Sequence, residues 1–328
     1  VRLGALDRET MAVGMVVPSG TVTDTGVAGL TLGGGFGWLQ RKHGMTIDAL
    51  VSADVVTADG RFLVASKDQN PDLFWALRGG GGNFGVVTSF EYETYEAEEI
   101  VGGMALYPED KLKDMLHFFR DFTSTAPNSV MTMAGSMIGP PGTPVEGQAA
   151  GYIAVCYSGN TAEGERLLAP IKAFGPPALD LIGPAPYSTI QTMFDAASPT
   201  GRQNYWRSNF MYELSDDVID TIVARAQELP PTGSLFLVEH MGGAIRDVRP
   251  NDTAFSSRDA NYNVSILGVW EDASRNDEYI AWTRMVGDEL RKYATGGAYV
   301  NYMADEGEDA VAATYEANLA RLIEVKRK

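Results

Sequence analysis

Apolar and polar positions along the chain alternate in two periods, and the two are mixed from end to end. Period-two patterns mark strands at "AVGMVVPSG" (12–20), which runs into a turn at Pro18-Ser19-Gly20, and at "GVVTSFEYETYEA" (85–97). "ALVSADVVTADGRFLVAS" (49–66) reads as a hairpin turning at Asp59-Gly60. "NPDLFWALR" (70–78) reads as a short helix, with Asn70 as its cap and Pro71 at its first position. "GVAGLTLGGGFGWLQRKHG" (26–44) reads as tightly packed helical turns of small residues. From about Val101 the pattern changes. "PEDKLKDMLHFFRDF" (108–122) places Leu112, Met115, Leu116 and Phe119 on one helical stripe. Strands are expected at "VMTMAGSMI", "AAGYIAVCYSG", "GSLFLVEHM" and "YNVSILGVW". Helices are expected at "TAEGERLLAPIKAF", at "SDDVIDTIVARAQEL" (capped by Ser215), at "NDEYIAWTRMVGDELRKYA" and at "DAVAATYEANLARLIEVKRK". Neighbouring strands punctuated by helices imply an antiparallel sheet with helices on one face, an α+β arrangement.

Composition narrows the function classes. The chain has 328 residues, 45% of them hydrophobic, which is enough for a large core. Its formal net charge of -17 repels phosphate backbones and anionic surfaces, so neither nucleic acid nor a membrane surface is an expected partner. No apolar run is long enough to span a bilayer. The one cysteine, Cys156, lies in an apolar run, where a small buried hydrophobe is expected, and a single thiol fits a reducing cytoplasm. His43, His117 and His240 show no metal-ligand spacing.

The glycines carry the sharpest question. Gly80-x-Gly82-x-x-Gly85 has the spacing of the dinucleotide-binding fingerprint, which would imply a nicotinamide dehydrogenase. That fingerprint needs a strand before the glycines and a helix after them, because the helix N-terminus holds the pyrophosphate. Here a helix comes first and a β-branched strand follows. A run of four glycines, with Gly33-Gly34-Gly35 earlier, marks either tight turns in a packed layer or close approach of backbone to a ligand.

Taken together, the segment from Pro18 to Tyr92 resembles the second lobe of the PCMH-type FAD-binding domain of the vanillyl-alcohol-oxidase superfamily. It is most similar to the berberine-bridge-enzyme-like flavoproteins. "YWRSNFMYELSD", "GGAIRDVRPNDTAF", "YVNYMADEGED" and "ANLARLIEVKRK" follow in that family's order. The resemblance implies residues 1–97 as the second lobe, 98–296 as a substrate domain whose antiparallel sheet roofs the isoalloxazine, and 297–328 as a return to the FAD domain. It places Pro18, Ser19, Gly20 and Thr21 beside the flavin ring. It places Thr25, Gly26 and Gly29 along the ribityl chain and pyrophosphate, Gly85, Val86 and Val87 by the adenine, and Asn301 near the reactive face. Three departures accompany it. The family's opening lobe, with its Gly-rich loop and flavin-linking histidine, does not precede Val1. Val22 stands where some members carry a second flavin-linking Cys. The final segment stops at Lys328.

The chemistry so implied is hydride transfer from a hydroxyl- or amine-bearing small molecule to flavin N5, with a base taking the proton. Tyr302 is the expected base and Tyr299 the alternative. Thr25 falls at the position that governs oxygen access, and its small β-branched shape resembles the oxidase members, with molecular oxygen as electron acceptor. Tyr152, Tyr205, Trp206, Phe236, His240 and Trp270 are the expected pocket walls. The competing readings are a flavin-less or truncated homologue acting as a binding module, and the nicotinamide dehydrogenase that the strand order argues against.

Overall fold

The computed structural model describes residues 1–328 except Pro199, Thr232 and Asp305. Its centre is one large antiparallel sheet. Seven strands run in the order Gly183–Ala185, Ile100–Pro108, Ala149–Ser158, Val130–Ile138, Leu235–His240, Tyr262–Trp270, Gln203–Met211, and Leu179–Asp180 pairs beside Ile100–Pro108. A separate three-stranded sheet holds Phe62–Ser66, Leu50–Val56 and Val86–Tyr92 in that spatial order. Met15–Val16 pairs with Tyr95–Glu96.

Both faces of the large sheet are buried, so its central strands read as unbroken apolar runs. Ile153, Val155 and Tyr157 point to the side covered by helices Leu112–Thr123, Thr161–Ala173, Asp216–Ala226 and Asn276–Arg291. Their neighbours Tyr152, Ala154 and Cys156 point the other way, onto Val16, Trp38, Leu39, Tyr187 and Phe194. The N-terminal segment therefore covers the face that the helices leave open. Among the described residues no helix is long and apolar enough to cross a membrane.

Several elements differ from the sequence expectation. Helix Leu3–Met11 and strands Ile100–Pro108 and Gln203–Met211 carry no clear periodic signal. Ile100–Pro108 contains Gly102 and Gly103, and Gly103, at φ 141°, lies against the backbone of Leu181, so the strand reads as a loop. Gln203–Met211 is an edge strand rich in Asn, Arg and Ser. Asn70 does not cap the helix Pro71–Leu77. It sits in the left-handed region, and its side chain donates to the Val64 carbonyl (2.8 Å) instead. The C-terminal helix is broken into Glu308–Tyr315 and Leu319–Arg327, with Glu316 at φ 47° between them. The break lets Asn318 Nδ2 donate to the carbonyls of Pro250 (2.8 Å) and Thr253 (3.2 Å). The Ser215 cap holds: its side chain accepts from Val218 N.

The glycine run has the order helix Pro71–Leu77, glycines, strand Val86–Tyr92, the reverse of the dinucleotide fingerprint. Its amides serve the fold: Gly79 N and Gly81 N both donate to Leu32 O (3.1 and 2.9 Å). The earlier run is tighter still. A Cβ on Gly37 would stand 1.6 Å from the Ser19 carbonyl oxygen, and one on Gly33 would overlap the Asn301 amide at 2.0 Å. Gly37→Ala is therefore expected to lower unfolding stability by about 3 kcal/mol or more, because backbone rather than a mobile side chain must move. Urea or thermal unfolding measures it; an unchanged midpoint would show that the turn at 18–21 can shift freely.

Candidate functional site

The turn at 18–21 is held from two directions. Pro18, Ser19 and Gly20 are buried and Thr21 is half-buried. From the large-sheet side, Gln191 donates through Nε2 to the Gly20 carbonyl (3.0 Å) and to Asp7 Oδ2 (2.9 Å). Just beyond the turn, Thr23 donates from both N and Oγ1 to the Asp195 carboxylate (2.8 and 2.6 Å). Burial of Asp7 outweighs its hydrogen bonds from Gln191 and Ser19 and pushes its carboxyl up to about 6.

Beyond the turn, helix Val27–Gly33 presents a bare face. Gly26 and Gly29 are exposed, and a Cβ on either would meet nothing within 4 Å. Thr25, half-buried, precedes them, and no hydrogen bond of its hydroxyl is found among the described residues. Gly85, Val86 and Val87 lie elsewhere, at the start of the outer strand of the three-stranded sheet, where Val86 is 69% exposed. A smooth glycine face beside free hydroxyls is what an extended, polar cofactor such as FAD needs, so the residues present fit it.

The C-terminal segment brings Tyr299, Asn301 and Tyr302 to the end of the same helix. Asn301 Nδ2 donates to Leu30 O (3.0 Å) and to Tyr299 OH (2.9 Å), and Gly35 N donates to that hydroxyl as well (2.9 Å). The Tyr299 ring stacks on Phe36 with centroids 4.0 Å apart. Tyr299 is thus a buried anchor, and burial holds its phenol above the usual tyrosine value. Tyr302 differs. It meets Trp206 and Tyr299 edge-on, at 5.4 and 4.8 Å between centroids, and its hydroxyl has no hydrogen bond among the described residues. Burial raises its phenol as well, and the nearby Glu239 carboxyl adds to the rise.

Glu239 is the residue that sequence reasoning passed over. It is 2% exposed, on the sheet face that Tyr152 shares, and its Oε2 accepts from Asn263 Nδ2 across the strand pair (2.6 Å). With that one hydrogen bond against full burial, its carboxyl is pushed up to about 7. The signal was available: a lone acid interrupts the apolar run "LFLVEH". On the same face stand three buried polar atoms without a partner, Asn263 Oδ1, Ser265 Oγ and Trp206 Nε1. Of the expected pocket walls, Tyr152 and Trp206 are on this face. Tyr205, Phe236, His240 and Trp270 are on the opposite, helix-covered face, where Phe236 packs on Trp282, Trp270 on Tyr279 and His240 on Tyr262. A one-residue step along a strand changes the face.

The fold sets an exposed, glycine-bearing helix beside a sheet face with a few buried polar groups, an arrangement that suits a flavoprotein. Comparison with known proteins agrees. Residues 1–66 match the family described as FAD binding domain. The chain is 30% identical over 330 residues to an FAD-linked oxidoreductase of Dictyostelium discoideum, covering 99% of this chain and 70% of that protein. It is 53% identical over 78 residues to the xylooligosaccharide oxidase of Thermothelomyces thermophilus, covering 24% of this chain and 16% of that one. The solved structure of the berberine-bridge-enzyme-like protein 1 of Physcomitrella patens superposes with a TM-score of 0.86 at 23% identity, over 99% of this chain and 72% of that one. The chain belongs to the FAD-linked oxidoreductases, and it shares its fold with berberine-bridge-enzyme-like proteins. It is an FAD-dependent oxidoreductase.

Two outcomes follow. Gly29→Leu, which fills open space on a helix, is expected to leave the fold as stable as before and to weaken FAD binding about tenfold or more, read by flavin fluorescence. Undiminished binding would place the cofactor elsewhere. Glu239 contributes stability that is fully present below its ordinary value of 4.5 and lost as pH rises through about 7, since the fold prefers the protonated acid. Glu239→Gln is therefore expected to stabilise the protein at pH 8 by on the order of 3 kcal/mol and little at pH 4, measured by urea unfolding at both pH values.

Proposed function

We propose that the chain oxidises a hydroxyl-bearing small molecule that docks between the glycine face and the large sheet. Tyr302 is its proton-accepting contact, Glu239 the carboxyl that sets the pH range, and molecular oxygen the final electron acceptor. Bound FAD supplies the hydride acceptor. The observation that carries the reading is the set of unsatisfied groups on one sheet face: the free Tyr302 hydroxyl, the Glu239–Asn263 pair, and the partnerless atoms of Trp206 and Ser265. Buried polar atoms without partners are uncommon in native proteins, and a substrate bearing several hydroxyls would satisfy them. The sugar substrate in the name of the Thermothelomyces relative supports hydroxyl oxidation over amine oxidation.

In this reading Tyr302, edge-on to Trp206, is fixed in direction by two aromatic contacts and keeps its hydroxyl free for the reacting group. A phenol held above its usual value is a poor base in isolation. Glu239, near enough to add to the rise of the Tyr302 phenol and itself pushed by burial up to about 7, is suited to hold the proton that Tyr302 passes on. Pro18, Ser19, Gly20 and Thr21, with Thr25, Gly26, Gly29, Gly85, Val86, Val87 and Asn301, are the proposed cofactor contacts, and Tyr299 positions Asn301 rather than reacting.

The experiment is FAD titration of the chain, followed by oxidation assays on a panel of mono-alcohols, amines and oligosaccharides with oxygen uptake monitored. Tyr302→Phe is expected to lower kcat by about 10² to 10⁴ without losing FAD. Glu239→Gln is expected to abolish the loss of rate as pH falls below about 7. Full activity in Tyr302→Phe would sink the assignment, and turnover with a dye but not with oxygen would replace oxidase by dehydrogenase.

A further inference from the structure

Charge is distributed unevenly over this acidic chain. Acidic residues outnumber basic ones 43 to 26, yet one cleft of about 440 Å³ is walled by Arg41, Arg120 and Arg246 together with His240. It opens behind the substrate face: His240 follows Glu239 on strand Leu235–His240 and so points to the opposite side of the sheet.

Arg41 is 4% exposed, and none of its acceptors is a carboxylate. It donates through Nε to Val130 O (2.9 Å), through Nη2 to Ala126 O (3.0 Å), and through Nη1 to Met241 O, with His240 Nε2 at 2.9 Å. Carbonyl dipoles solvate a buried guanidinium and leave its charge unneutralised. Arg246 also has no ion pair among the described residues. Its Nη2 donates to Asp259 O (3.0 Å) and to Asn261 Oδ1, and no hydrogen bond of its Nε or Nη1 is found among the described residues. The two guanidinium groups converge on Gly242. A Cβ there would lie 3.4 Å from Arg41 Nη1 and 3.7 Å from Arg246 Cζ, so both cations face a point that carries no side chain. Arg120, at the cleft wall, is paired with Asp216 (2.6 Å). Glu213 is the acid in the lining.

We propose that this cleft is a second ligand site, distinct from the flavin and substrate surfaces, that takes the oxyanion group of a small soluble molecule, a carboxylate or a phosphate. The anion lies over Gly242 between Arg41 and Arg246 and supplies the countercharge that the chain does not. Arg246 offers free donors at Nε and at Nη1, one on each side of its engaged Nη2, for charge-assisted bonds to an oxyanion, and Arg41 supplies fixed charge from beneath. Burial, and after it the charges of Arg41 and Arg246, lower the His240 imidazole to about 2, so it stays neutral, adds no competing charge and can accept or donate one hydrogen bond.

The test is calorimetric titration of the full chain at low ionic strength with inorganic phosphate, with malonate, and with glycerol as the neutral control. Saturable one-to-one binding of at least one anion and none of glycerol is expected, and the stronger of the two anions identifies the source. Arg246→Gln, at an exposed position outside the proposed catalytic machinery, should weaken binding about tenfold or more. Arg249→Gln, a surface arginine paired with Asp252, should leave it unchanged. Glu213→Gln should strengthen it, since it removes the one acid in the wall. If neither anion binds saturably, or if Arg246→Gln binds as well as the parent chain, Arg41 is a clamp on strand-end carbonyls and the site does not exist.

Discussion

The close approach allowed by the bare backbone at 33–37 holds this part of the protein together. Gly33 admits the Asn301 amide, Gly35 donates to the Tyr299 hydroxyl, and Gly37 lies against the Ser19 carbonyl. Three stretches far apart in sequence, the turn at 18–21, the end of helix Val27–Gly33 and the segment 299–302, meet there because no side chain keeps them apart. The buried ion pair of Arg258 with Asp48, two bonds of 2.8 Å, pins the loop near 255 to the same region. Close packing of this kind transmits displacement, so a methyl group added at Gly37 is felt at the turn and at the tyrosines.

The large sheet separates two chemistries by the period of a strand. Along Leu235–His240, Phe236, Val238 and His240 face the helices, while Leu235, Leu237 and Glu239 face the N-terminal segment. The face with Glu239 carries an acid near its neutral point and several unsatisfied polar atoms. The face with His240 meets buried cations at the strand end. Burial raises the acid and depresses the imidazole for one reason, loss of water around the charged form. Such groups reduce folding stability, and groups of this kind cluster at functional sites.

Much of the fold was legible in the sequence, in a particular sense. The segment from Pro18 to Tyr92 announced its family, and the order helix, glycines, strand removed the dinucleotide reading before any coordinates. Periodicity placed the four helices on the large sheet and its four central strands correctly. It missed Ile100–Pro108 and Gln203–Met211, because glycines and edge polarity erase the alternation that marks a strand. It gave Asn70 a capping role that the left-handed backbone denies, and it read as one helix a segment that breaks at Glu316 so that Asn318 can reach Pro250 and Thr253.

What the sequence determined alone was local: which stretches are helix or strand, which residues are small enough to let backbone approach, and which family they spell. Which residues meet was decided by tertiary structure. Glu239 became an unusual acid only when Asn263 was registered opposite it and both faces of the sheet were covered. Arg41 and Arg246 became a pair only when Gly242 turned between them. Tyr299 and Tyr302, separated by two residues, stand in different surroundings, since one hydroxyl reaches Gly35 and the other reaches no partner among the described residues. Periodicity and propensity act over a few residues, whereas desolvation and charge convergence depend on groups brought together from across the chain, and so they are written in the fold.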